Sequence, residues 1–313
     1  MGQTITYGLA AGALSALLFV ALLTGLPLAF LLYLLTPLPA FMAGLIQGPV
    51  AAGVAAGAAA VALLFAGPPA LAATHVVGFG LPAWALLATA ASAGDAVRRQ
   101  TGPGLVALAV LLAGTFGAAN VLLLGADVET YRSTLATVFE FYREQLGGMT
   151  GQAWPADQTA LVLDLTTRIM PGIAAVSWLA LMLGNLWLAG RLAGSRRRDV
   201  GALVALRAFR LPSWMTLTFM ASLLVAYFGP PYASLLASAF AAAHGAGYAI
   251  EGLALVHRLT FGHRLRALIL IALYLALLLA GYYVVFVLIT FALAAPLFGL
   301  DRRLPTLSNN TPT

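Results

Sequence analysis

The sequence predicts an all-α, polytopic transmembrane bundle of about 8–10 membrane segments with one extracytoplasmic amphipathic helix. Three observations carry that prediction. Hydrophobic residues make up 62% of the chain and charged residues 8%, whereas a soluble domain carries about 25% charged side chains. No charged side chain occurs before Asp95, a length that accommodates several spans of about 20 apolar residues. Alternation of period two is absent while long Leu/Ala blocks dominate, which excludes a membrane β-barrel.

Apolar segments fall at about 5–24, 27–47, 49–66, 71–94, 103–125, 171–193, 212–229, 232–258, 267–281 and 283–300. Pro37 and Pro39 divide the second into two half-helices, because proline removes a helical donor and clashes with the preceding turn. The last two form one unbroken block. As a single helix it would reach about 50 Å, well past a core of about 30 Å, so a tight hairpin near Gly281 is expected. The N-terminus has no basic region ahead of its apolar run, so a retained first helix is expected rather than a cleaved signal peptide.

Charge orients the spans. Thirteen of the sixteen arginines fall in four groups, around 98–99, 191–210, 258–266 and 302–303. Residues 126–170 instead hold three arginines and six acids. By the positive-inside rule the four basic groups and both termini are expected in the cytoplasm and 126–170 outside. The organisation expected is one transmembrane domain over 1–304, with an external helical region at 126–170, a cytoplasmic arginine-rich loop at 194–211 and a disordered tail at 305–313.

Within the external region, Val128, Tyr131, Leu135, Val138, Phe139, Tyr142 and Leu146 recur every three or four residues. That spacing makes an amphipathic helix lying on the membrane or over the bundle mouth, ended by Gly147 and Gly148. A second helix is expected from near Asp157, with Asp164 and Arg168 paired one turn apart.

Several chemistries are excluded. The chain has no cysteine, removing disulfides, iron–sulfur clusters and thiolate metal sites. No HExxH, Walker A or GxSxG motif is present and no Asp/Glu metal box, so neither an enzyme nor a cofactor or metal is expected. The formal charge of +6 reflects cytoplasmic loops and not a nucleic-acid partner.

The segment "HGAGYAIEGLALVHR" (244–258) concentrates polarity in an apolar span. At 100° per residue, His244, Tyr248, Glu251 and Arg258 fall within about 80° of arc, with His257 nearly opposite. An acid in hydrocarbon costs about 2.5 kcal/mol or more unless it faces protein or water. Glu251 is therefore expected to look inward, either as a hydrogen-bonded staple between helices or as part of a substrate or proton site. Asn120 and Asn185, in the segments flanking the external region, are candidate co-liners, and Gln47 and His75 are further polar residues in the N-terminal half.

Gly8, Gly12 and Ala16 form a four-residue ladder, as do Ala52, Ala56 and Ala60. Such ladders bring helices close, inside the bundle or as a docking face for another membrane subunit. Arg196, Arg197 and Arg198 are expected to meet anionic lipid or a cytoplasmic partner.

"TPLPAFMAGL" (36–45), "LRAFRLPSW" (206–214), "EGLALVHRLTFG" (251–262) and "GLDRRL" (299–304) resemble the YybS-like family of bacterial integral membrane proteins, a family of unknown function. The resemblance implies the inner membrane of a bacterium. It also implies a distant similarity to S components of energy-coupling-factor transporters, which bind a small molecule in a helical bundle and dock on a membrane partner. A small-molecule-binding or transport-related role is then expected, with Glu251, His244, Tyr248, Asn120 and Asn185 as ligand-binding residues. The alternative is a non-transporting scaffold for envelope or cell-division partners.

Overall fold

A computed structural model describes residues 1–91, 98–150, 156–193 and 210–299. Among these, every regular element is helical. The order is α1 (Gly2–Ala21), α2 (Pro27–Leu34), α3 (Leu38–Gln47), α4 (Pro49–Ala66), α5 (Pro69–His75), a π turn (Val76–Gly80), α6 (Leu81–Ala91), α7 (Arg98–Leu124), α8 (Val128–Thr150), α9 (Ala156–Leu192), α10 (Met215–Phe228), α11 (Pro231–Leu259) and α12 (Arg266–Ala294). Eight segments among the described residues are long and apolar enough to cross a membrane, with α2–α3, α5–α6 and the two halves of α12 each counted together as one, and α10 is a shorter apolar helix. The polytopic all-α bundle expected from composition is the fold observed.

The second span breaks where its prolines stand. Leu35 leaves helical geometry at φ −94° and ψ 3°, and α3 restarts with Pro37 at its N-cap. Both GPP tripeptides place their last proline at the first position of a helix, Pro69 in α5 and Pro231 in α11, where a missing N–H costs nothing.

The last block turns back on itself. Ala280 interrupts α12 with φ −135° and ψ 38°. Arg266 Nη1 donates to His257 O at 3.2 Å, while the Leu288 backbone lies against Gly252, only five residues away from His257. A straight helix would carry Leu288 about 33 Å from Arg266, which these contacts forbid. The reversal falls at Ala280–Gly281, where the hairpin was expected. Leu278, Leu279, Tyr282 and Tyr283 crown it and are exposed.

Helix α11 is the hub of the C-terminal half, packing on α7, α9, α10 and α12, while α1, α3 and α4 pack together in the N-terminal half. The core is one continuous cluster rich in alanine and leucine. The Gly8–Gly12–Ala16 ladder is spent inside it. A Cβ at Gly8 would stand 2.6 Å from Val54 Cγ1, and one at Gly12 would stand 2.6 Å from Ala58 Cβ. Gly8, Gly12 and Ala16 are all buried, so the ladder serves the α1–α4 contact and leaves no face there for another subunit.

Two features of α8 and α9 also differ from expectation. Helix α8 continues through Gly147 and Gly148 to Thr150, since internal helical bonds outweigh the cost of about 1 kcal/mol per glycine. The segment expected at 171–193 belongs to α9, which starts at Ala156 and passes through Pro171 without a break. The expected Asp164–Arg168 pair forms at 3.0 Å. The start of α8 is pinned to the bundle, where Tyr131 and Leu135 pack with Val121 and Leu235. Asp127 caps it, accepting the Thr130 N–H at 2.8 Å. Arg196, Arg197, Arg198, Arg302, Arg303 and the tail 305–313 lie outside the described residues.

Replacing Gly12 by leucine is expected to force α1 from α4 and cost about 1–3 kcal/mol. Gly57→Leu, at a position open to its surroundings, serves as the control, and thermal unfolding in detergent reads the difference. The hydrogen bonds from Thr130 hold the Asp127 carboxyl below its ordinary range. A depressed carboxylate stabilises the fold above its unfolded value and loses that contribution as pH falls through the folded one. Protection of the first α8 amides should therefore weaken on acidification in the wild type. Asp127→Asn should lack that pH response in hydrogen exchange.

Candidate functional site

Two polar nodes are built into the bundle. The first joins α10 to α11. Tyr248 Oη and Thr216 Oγ1 lie 2.9 Å apart. His244 donates from Nδ1 to Phe240 O at 2.8 Å, and its Nε2 lies 2.9 Å from Thr218 Oγ1, whose single hydrogen also has Met215 O within 3.0 Å. Phe219 stacks on the His244 ring at 6.0 Å and packs on Tyr248. One turn further along, Glu251 Oε2 accepts the Leu211 N–H at 3.1 Å, just ahead of α10. A carboxylate is favourable there because the start of a helix carries partial positive charge.

The α11 row thus faces protein, as expected, and it serves as a helix-to-helix staple. His244 and Tyr248 are buried and Glu251 is half-buried. His257, on the opposite face, meets Tyr274 Oη of α12 at 2.9 Å.

The second node joins α1, the α2–α3 break and α5. Ser15 Oγ donates to Thr36 O at 2.7 Å and lies 2.8 Å from His75 Nε2. All three residues are buried. A hydroxyl has one hydrogen and a carbonyl can only accept, so His75 Nε2 must carry the proton it shares with Ser15. That polarity is opposite to a serine nucleophile poised on a histidine base, where the imidazole nitrogen accepts. Phe19 and Phe79 pack against the His75 ring. The π turn follows directly, and Trp178 Nε1 donates to its Gly78 carbonyl at 2.7 Å. Two buried atoms of this node, His75 Nδ1 and Thr36 Oγ1, have no hydrogen-bond partner.

The five residues expected to line one cavity do not converge. Asn120 Nδ2 turns to its own helix, donating to Phe116 O at 2.7 Å. Asn185 Nδ2 donates to Leu34 O and Leu181 O, each at 2.8 Å, so it belongs to the break in the second span. The three α11 residues hydrogen-bond to α10, its lead-in and α11 itself. The correction has a physical cause: each polar atom took the nearest partner, and Asn185 stands beside the α2–α3 break, where space is left.

That space is a cleft of about 370 Å3, open on one side, between the α2–α3 break and α9. Leu34 and Leu35 form one wall and Ser177, Gly184, Asn185 and Leu188 the other. Asn185 Oδ1 is buried without a partner. Among the described residues, no three His, Asp or Glu side chains come together as a metal site.

Sequence reasoning had singled out His75 and Asn185 but neither Ser15 nor Thr36. The available signal was Pro37: a proline break frees carbonyls, and Thr36 stands directly before it.

A family model described as "Predicted membrane protein (DUF2232)" matches residues 13–297. The chain belongs to this family. The match embraces both polar nodes and the cleft, and it agrees with the YybS-like resemblance. The family description places its members in a membrane and assigns them no activity. No curated protein and no solved structure matches the chain.

Ser15→Ala should strand the His75 Nε2–H and the Thr36 carbonyl, at about 1–3 kcal/mol for each buried group left unpaired. Glu251→Gln keeps an oxygen for the Leu211 N–H and should cost far less than Glu251→Leu. Thermal unfolding of the three variants checks both statements.

Proposed function

We propose that this DUF2232 protein is a membrane-embedded binding protein for a lipophilic small molecule, of the kind that serves transport, as in S components. The cleft beside the broken second span carries the reading. Binding sites of many transporters sit where a helix is interrupted, since irregular backbone in a membrane persists where it is covered by protein or lines a cavity. A volume of about 370 Å3 matches small-ligand sites, which begin at about 300 Å3. Its mostly apolar walls suit a ligand arriving from the bilayer. The site is Asn185 with its α9 neighbours; His244, Tyr248 and Glu251 hold the bundle together beside it.

A second reading has one observation in its favour. The α12 hairpin leaves much of its apolar surface uncovered, and a scaffold for other membrane proteins would present such a surface.

Native mass spectrometry of the protein purified in mild detergent separates the two. The binding role predicts a co-purified small molecule that Gly184→Trp removes, since nothing stands near a Cβ at Gly184 and the larger ring fills the cleft without breaking a contact. A wild-type protein carrying a stoichiometric protein partner and no small molecule would favour the scaffold.

A further inference from the structure

We propose that the reversal in α12 is the contact point of a twofold dimer, in which each copy covers the broken backbone of the other with its tyrosine hydroxyls. The inference is independent of the cleft.

Depth is the first argument. Arg258 in the last turn of α11 and Arg264 and Arg266 at the entry to α12 mark one headgroup level. The His257 carbonyl, which Arg266 holds, stands at that level. Gly252, against which the Leu288 backbone lies, is about 8 Å further in along α11, and Tyr282 is about 9 Å from Leu288 along α12. The reversal therefore lies no more than about 17 Å into a core of about 30 Å. A tyrosine side chain cannot bridge what remains to the far headgroups, and tilting the helices only widens that gap.

The second argument is what the reversal exposes. Ala280 leaves helical geometry, and a helix that stops leaves the carbonyls of its last turn without intrahelical donors. Leu278, Leu279, Ala280, Tyr282 and Tyr283 are all exposed. The two tyrosine rings pack edge to face at 5.6 Å, and among the described residues neither hydroxyl meets a hydrogen-bond partner. At the break in the second span Asn185 covers the Leu34 carbonyl. Among the described residues, no side chain does the same for α12. Irregular backbone inside hydrocarbon persists where protein covers it, so the cover comes from another molecule.

Self-complementarity names that molecule. The reversal holds both halves of the missing bonds, hydroxyls that donate and carbonyls that accept. A twofold axis sets the donors of one copy on the acceptors of the other and the reverse, which is the pattern of an isologous contact. No charged side chain lies between Arg266 and Asp301, so two identical faces meet without repulsion. A Cβ at Gly281 would have nothing within 4 Å, which leaves room for close approach.

The test uses the absence of cysteine from the chain. Gly281→Cys gives the full-length protein a single thiol at an open position. In membrane vesicles a short bismaleimide should join two copies through it. Gly57→Cys, equally open on α4, is the control and should stay monomeric. Tyr282→Phe combined with Tyr283→Phe keeps both rings and removes the hydroxyls. That double variant should weaken dimerisation in detergent by about tenfold. Its monomer should unfold at the wild-type temperature, because the hydroxyls meet nothing within one chain. Cross-linking through Gly281→Cys no greater than through Gly57→Cys overturns the inference, as does a dimer indifferent to the loss of both hydroxyls. Native mass spectrometry showing a stoichiometric complex with a different membrane protein, and no dimer, overturns it as well.

Discussion

A backbone carbonyl released inside hydrocarbon has no water to meet it, and this bundle is organised around that constraint. Its helices break or end at several places, and a side chain from elsewhere covers the carbonyl exposed at each. Asn185 covers Leu34, Ser15 covers Thr36, Trp178 covers Gly78, Tyr232 covers Gly125 and Ser234 covers Ala226. The partners of Leu34, Gly78 and Gly125 are a hundred residues or more away in sequence. Breaks that look like weaknesses therefore dictate which helices must be neighbours.

Against that background, the polar row of α11 is economical. Leu and Ala side chains gain little by leaving lipid for a helix interface, so packing alone selects a partner weakly. Three hydrogen bonds at successive levels, to Thr218, Thr216 and Leu211, fix both the neighbour and its register. Gly252 adds close approach on another side, where the Leu288 backbone would overlap any Cβ.

Hydropathy and proline positions made most of the fold legible. They located the two half-helices of the second span and the reversal near Gly281. What could not be read was convergence. His244, Tyr248 and Glu251 share a helical face by periodicity alone, but whether that face meets a cavity or Thr216 and Thr218 depends on how α10 docks. Asn120 and Asn185 look equivalent in sequence, both amides in apolar segments. One bonds its own helix and the other bridges to Leu34. Ser15 gave no signal, because an isolated serine in a helix usually bonds its own preceding turn. The small-residue ladder of α1 was ambiguous for a related reason: spacing tells how near a helix comes, not which one.

Helix α10 and the two arms of the α12 hairpin are short. Each α12 arm, like the 14-residue α10, rises about 21 Å, against a hydrocarbon thickness of about 30 Å. Helix α9, by contrast, runs for 37 residues, enough to cross with length to spare. The bundle thus mixes short and long helices, and lipids beside the short ones must compress to seal against them, at fractions of a kcal/mol per Å. Elements of this height draw thin membrane, or a neighbour of equal stature, to the places where they meet lipid.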